Sequence, residues 1–161
     1  MAIAAHKQTL SMDEDLELWI LLSQAVQCIG KLRESELRQY GISLQQCSIL
    51  FLINTVISMG KEARMHEIAA LSLLEKHSIS EIIQRMQKKG LVKKIKDDLG
   101  VKVELTDNGL KTLELSLIRE STKLLFSSFS AQQTQQLKQL IKTLRDGAMD
   151  LLHSSRKLSF P

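Results

Sequence analysis

The sequence predicts a mainly α fold with a small β-hairpin wing, a winged helix-turn-helix set between long N- and C-terminal helices. Three observations predict it. Apolar residues recur at helical spacing through most of the chain; that spacing breaks at residues 91–106, where two short β-prone runs flank a turn; and the positive excess is confined to residues 76–102. One Pro, at position 161, and seven Gly leave few helix breakers, and Leu, Ile, Gln, Lys and Glu dominate.

The first helix is expected from Asp13 to about Tyr40, with Asp13, Glu14 and Asp15 at its N-terminus, where acids are favoured, and Gly41 at its end. Leu16, Leu18, Trp19, Ile20, Leu21 and Leu22 are apolar around most of its circumference, so it needs cover on more than one side. Ser43 caps a second helix that carries Leu44, Cys47, Ile49, Leu50, Leu52 and Ile53 and ends near Gly60. A short third helix runs from about Met65 to Leu71. A fourth, from about Lys76 to Lys89, places Ile79, Ile82, Ile83 and Met86 on one stripe and stops at Gly90. "LVKKIK" and "VKVELT" then alternate as strands around "DDLG". Thr106 is the natural cap of a long helix from Asp107 to about Phe126. Ser130 begins a last one with Leu137, Leu140, Ile141, Leu144, Ala148, Leu151 and Leu152 on its apolar stripe. The reading is one chain, 1–161, with a winged helix-turn-helix lobe at 43–106 between terminal helices at 13–40 and 107–152.

Charge is distributed unevenly. Between Lys76 and Lys102 stand eight cations against three acids, whereas the rest of the chain has 14 cations against 15 acids, so the net charge of +4 resides in one segment. Such a localised patch is the electrostatic footprint of a nucleic-acid contact. The fourth helix carries Lys76, His77, Ser78, Ser80, Glu81, Gln84, Arg85 and Lys88 off its apolar stripe, hydrogen-bonding groups first and cations later. Lys94, Lys96 and Lys102 line the hairpin. At 1.5 Å per residue the fourth helix is about 21 Å long and fits a major groove about 12 Å wide. Glu81 either accepts from a cytosine or pairs with Arg85 one turn on.

The order of "YGIS", "QQCSILFLI", "HEIAALSLLEKHSISEIIQRMQKKGLVKK" and "LTDNG" resembles the multiple antibiotic resistance regulator (MarR) family of winged-helix transcription factors, over about Asp13 to Leu152. The resemblance implies a sequence-specific regulator of transcription, a homodimeric ligand-responsive repressor. Its terminal helices would interlock with those of a second copy, and its two reading helices would meet a pseudo-palindromic site in double-stranded DNA. It also implies a small aromatic effector, for which Trp19, Cys28, Cys47, Phe51 and Met65 are the candidate lining residues. The hairpin departs from the family's Asp-x-Arg turn: "KKIKDDLGVKVELT" is about three residues shorter and has Leu99 and Gly100 around the expected Arg.

Other classes are less well supported. No glycine-rich phosphate loop, H-E-x-x-H or nucleophile elbow is present, and His66 and Glu67, adjacent on a helix, diverge by about 100°. No enzyme activity, cofactor or metal site is expected; His6 and His153 lie near the chain ends. Cys28 and Cys47 have no paired spacing and are expected as reduced, buried thiols, with redox sensing through Cys28, near Lys31, as the alternative. A winged helix that binds another protein is the further alternative. No apolar run approaches the roughly 20 residues of a membrane span, and a cytoplasmic protein is expected.

Overall fold

The computed structural model describes residues 13–155, with side chains described through Leu152; His6 and the side chain of His153 lie outside that range. The chain divides into two compact units, one through Arg119 and one from Glu120.

In the first unit α1 spans Glu14–Leu37, and Asp13 caps it by accepting from the Leu16 N–H at 2.8 Å. A 3-10 turn, Arg38–Tyr40, ends at Gly41, whose φ of 67° is the left-handed conformation that glycine adopts without steric cost. Ser43 and Gln46 form a reciprocal capping box at the start of α2, Leu44–Ser58. Then come α3, Met65–Ser72, and α4, Lys76–Lys88. The turn between them passes through Leu73 at φ 57°, a left-handed residue that no glycine announces in the sequence.

Strands β1, Val92–Asp97, and β2, Gly100–Leu105, pair antiparallel from Val92↔Leu105 to Asp97↔Gly100. The Leu99 N–H donates to Asp97 Oδ1 at 2.9 Å across the two-residue turn. Helix α5, Asp107–Ser116, closes the unit. The core gathers Leu37, Ile49, Leu50, Ile53, Ile68, Ile79, Ile83, Met86 and Val103, all fully buried.

The helix expected from Asp107 to Phe126 is broken. It stops at Ser116, Arg119 is left-handed at φ 51°, and α6 begins afresh at Glu120 and runs to Ser127. The Ser116 carbonyl, which a continuing helix would offer to residue 120, accepts from Arg33 Nη2 at 2.9 Å. Cys28 also differs from expectation: it is exposed. Trp19 is likewise 65% exposed, with Leu18, Leu21 and Val26.

In the second unit α7, Ala131–Ser155, exposes Leu140, Ile141, Leu144, Leu151 and Leu152 along one side. Among the described residues no single helix is long and apolar enough to cross a membrane.

Candidate nucleic-acid interface

Helix α4 is strongly two-sided. Ile79, Ile82, Ile83 and Met86 are buried to 2% exposure or less, so the register of the helix against the core is fixed. Its other face must therefore point outward. Lys76, His77, Ser80, Glu81, Gln84, Arg85 and Lys88 are exposed there, and Ser78 is half-buried beside His77 Nε2 at 3.4 Å. No ion pair joins Glu81 to Arg85 among the described residues, so both remain available to a ligand.

The hairpin sorts its lysines onto two faces, because residues opposed across an antiparallel pair point the same way. Lys94 opposes Val103 and Lys96 opposes Val101, so these two lysines share one face. Lys93 opposes Glu104 and Ile95 opposes Lys102, so Lys102 lies on the other. There Lys102 Nζ is paired with Glu62 at 3.1 Å and Glu104 at 3.4 Å, and Lys93 reaches Glu104 at 3.0 Å. Lys89 is also engaged, donating to the Gly41 carbonyl at 2.6 Å and to Gln46 Oε1 at 3.1 Å. Of the eight cations in the basic segment, Lys76, Arg85, Lys88, Lys94 and Lys96 thus have neither an ion pair nor a side-chain hydrogen bond among the described residues.

One residue outside that segment enters the wing. Arg64, at the N-cap of α3, forks onto the Asp97 carboxylate with Nη1 to Oδ1 at 2.9 Å and Nη2 to Oδ2 at 3.0 Å, and also pairs with Glu62. The Asp97 bond pushes the Arg64 guanidinium above its usual range, while the Arg64 bond holds the Asp97 carboxyl below its own. Lys102, then Arg64, lower the Glu62 carboxyl in the same way. Glu62 raises Lys102, and Lys93 is the main cause of the lowered Glu104. Sequence reasoning passed over Arg64 because its partner is 33 residues away.

A second feature is an open cavity of about 630 Å³ lined by Arg33, Cys47, Phe51, Leu52, Leu74 and Arg119 among others. Of its lining residues, Cys47 is bonded into the core: Cys47 Sγ donates to Ser116 Oγ at 3.4 Å, and Ser116 Oγ donates to the Leu113 carbonyl at 2.7 Å. Of the five candidate lining residues, the structure brings Cys47 and Phe51 to this cavity. Trp19 and Cys28 lie exposed on α1, and Met65 lines a separate hollow with His66, Lys76 and Leu99. Among the described residues no group of three His, Cys, Asp or Glu side chains is assembled to hold a metal.

A short helix, a turn, an amphipathic helix with an outward polar face and a two-stranded hairpin together define a winged helix-turn-helix protein. Residues 40–100 match the sequence profile of the MarR family, and the chain has the MarR-family winged-helix fold. It is similar to the organohalide-sensing RdhR-CbdbA1625 transcriptional regulator in ligand-free and 2,4-dichlorophenol-bound forms. The likeness is 23% identity and a TM-score of 0.79, over 95% of this chain and 93% of that one. It is also similar to a mutant MarR from E. coli complexed with operator DNA (20% identity, TM-score 0.72, 81% of this chain and 95% of that one). The S. aureus MepR–DNA complex is a further likeness (18% identity, TM-score 0.67, 84% of this chain and 96% of that one). No curated protein matches the sequence significantly.

Proposed function

We propose that the protein is a sequence-specific, DNA-binding regulator of transcription that acts as a homodimer and represses until a small aromatic ligand releases it. The observation that carries the reading is the division of α4: its apolar stripe is locked in the core, and hydrogen-bonding groups and cations are left on the outward face. Arg85 and Gln84 are side chains suited to bidentate contacts with guanine and adenine. Lys76, Lys88, Lys94 and Lys96 supply phosphate contacts, which give affinity and register. Solved relatives bound to DNA support the same use of the fold.

The exposed apolar faces of α1 and α7 support pairing with a second copy, since contiguous apolar surface of this kind marks an interaction site. Two copies present two reading helices to a two-fold symmetric site. The 630 Å³ cavity, with largely apolar walls, suits a small aromatic ligand, and a solved relative holds 2,4-dichlorophenol. Selection of bound fragments from random duplex DNA by the purified protein tests the reading and yields the operator. Recovery of no preferred sequence, or binding that does not weaken with salt, counts against it. Addition of 2,4-dichlorophenol to the complex then tests release.

A further inference from the structure

The N-cap of α3 is an unusual place for an arginine. Ser, Thr, Asp or Asn there would accept from the free N–H groups of the first turn, whereas Arg64 makes no side-chain cap at all. Its side chain, only 11% exposed, crosses instead to the far end of β1 and grips Asp97 through two parallel charge-assisted hydrogen bonds. Its backbone joins the same element: the Ala63 carbonyl accepts from the Val103 N–H at 2.8 Å, and Arg64 forms a bridge with Lys102.

These contacts hold the hairpin at two heights. The Ala63 bond grips the middle of β2, and the Arg64 fork grips the turn at Asp97, which pairs with Gly100. A two-stranded hairpin is marginal in water without such support. Lys94 and Lys96 lie on the strand between its base and the clamped turn. The segment that holds the wing also opens α3, which packs against α4, so the wing and the reading helix share one rigid mount.

We propose that Arg64 is the positioning residue of the wing: without touching DNA itself, it sets the reach of Lys94 and Lys96 relative to α4 through its fork onto Asp97. The inference rests on the DNA-binding reading above. It also opposes simple electrostatics. Removal of the Asp97 charge near a polyanion would by itself tighten binding, whereas loss of the clamp weakens it.

The test uses the full-length protein with Arg64→Gln, Arg64→Lys, Asp97→Asn and the double variant Arg64→Gln/Asp97→Asn. Affinity for the selected duplex is measured across a salt series, and amide hydrogen exchange is measured without DNA. Arg64→Gln and Asp97→Asn are each expected to weaken binding about tenfold, with a slope of log affinity against log salt equal to the wild type's. Arg64→Lys, which keeps the charge but not the fork, should fall between, and the double variant should lose no more than either single one. Amides of Ile95 and Lys102, an opposed pair whose N–H groups face each other across the ladder, should exchange faster in the variants while those of Leu50 and Ile83 do not.

Binding by Asp97→Asn as tight as the wild type's, or tighter, overturns the proposal. So does a lowered salt slope in Arg64→Gln with additive losses in the double variant, which would make Arg64 a direct phosphate contact. If the wild type itself does not bind DNA, the regulator reading fails and the positioning role with it. Hydrogen exchange then shows separately whether the clamp exists, since unchanged wing exchange in Arg64→Gln removes it.

Discussion

The carbonyl oxygen of Leu91 occupies the place where a side chain on Gly109 would begin: a Cβ there would stand 2.0 Å from it. The contact closes the hairpin onto α5. The Thr106 N–H donates to the same carbonyl at 3.1 Å, the Thr106 hydroxyl donates to the Gly90 carbonyl at 2.6 Å, and it accepts from the Gly109 N–H at 3.0 Å. The spacing Thr106-x-x-Gly109 is therefore a cap and a close approach in one turn. Gly109→Ala should destabilise the protein by at least about 2 kcal/mol, since the obstructing atoms are backbone and cannot swing aside. Chemical denaturation measures it, and wild-type stability in that variant would contradict the geometry.

Ile82 and its neighbours Gln84 and Arg85 separate folding from recognition. Ile82, 2% exposed, should cost about 2–5 kcal/mol of stability as Ala, through the cavity left behind. Gln84→Ala and Arg85→Ala, both on the exposed face, should leave thermal unfolding nearly unchanged. Each should cost about 1–3 kcal/mol of operator binding where it meets a base. If both polar variants discriminate operator from scrambled DNA as the wild type does, α4 is not the reading helix.

The two faces of the hairpin predict unequal lysines. Lys96→Ala should lower the salt slope of DNA binding by up to about one unit, because Lys96 is exposed and has no ion pair among the described residues. Lys102→Ala should change the slope little, because its ammonium is held by Glu62 and Glu104 on the opposite face. A reversed ranking would assign the groove to the Lys102 face.

The wing's ion network also sets an acid limit. Asp97, Glu62 and Glu104 titrate below their ordinary values when folded, so each contributes stability that is present above its unfolded pKa and lost as pH falls through the lowered folded one. Arg64 and Lys102 are raised, and their share is lost only in strong alkali. The stability difference between wild type and Asp97→Asn should thus be constant from about pH 5 to 8 and shrink below about pH 4. Thermal unfolding across that range checks it; a difference that persisted to pH 2 would mean that Asp97 acts through something other than its charge.

Truncation after Ser130 removes α7 with its exposed Leu140, Ile141, Leu144, Leu151 and Leu152. The homodimer proposed above should then give way to monomer or aggregate, which sedimentation distinguishes. An intact soluble dimer would place the interface elsewhere.

What the sequence determined alone is what neighbours within about four residues decide. The Ser43 cap, the stop at Gly41, the α4 stripe and the turn between Asp97 and Gly100 are each a local hydrogen-bond or burial pattern, and each stands where the residues predicted it. The outward face of α4 was legible for the same reason, as the complement of its stripe. The sorting of Lys102 away from Lys94 and Lys96 was not: the sequence placed all three along the hairpin, and only the strand register and the Glu62 and Glu104 pairs separated them. Tertiary structure decided the rest. Arg33 reaches across 83 residues to the Ser116 carbonyl where the expected long helix breaks, and Arg64 crosses 33 to hold the wing. The exposure of Cys28, expected as a buried thiol, is likewise a matter of tertiary packing. An arginine has a long side chain and a charge that pairs wherever the fold brings a carboxylate or carbonyl, so its partner is fixed by the path of the backbone and not by the residues beside it.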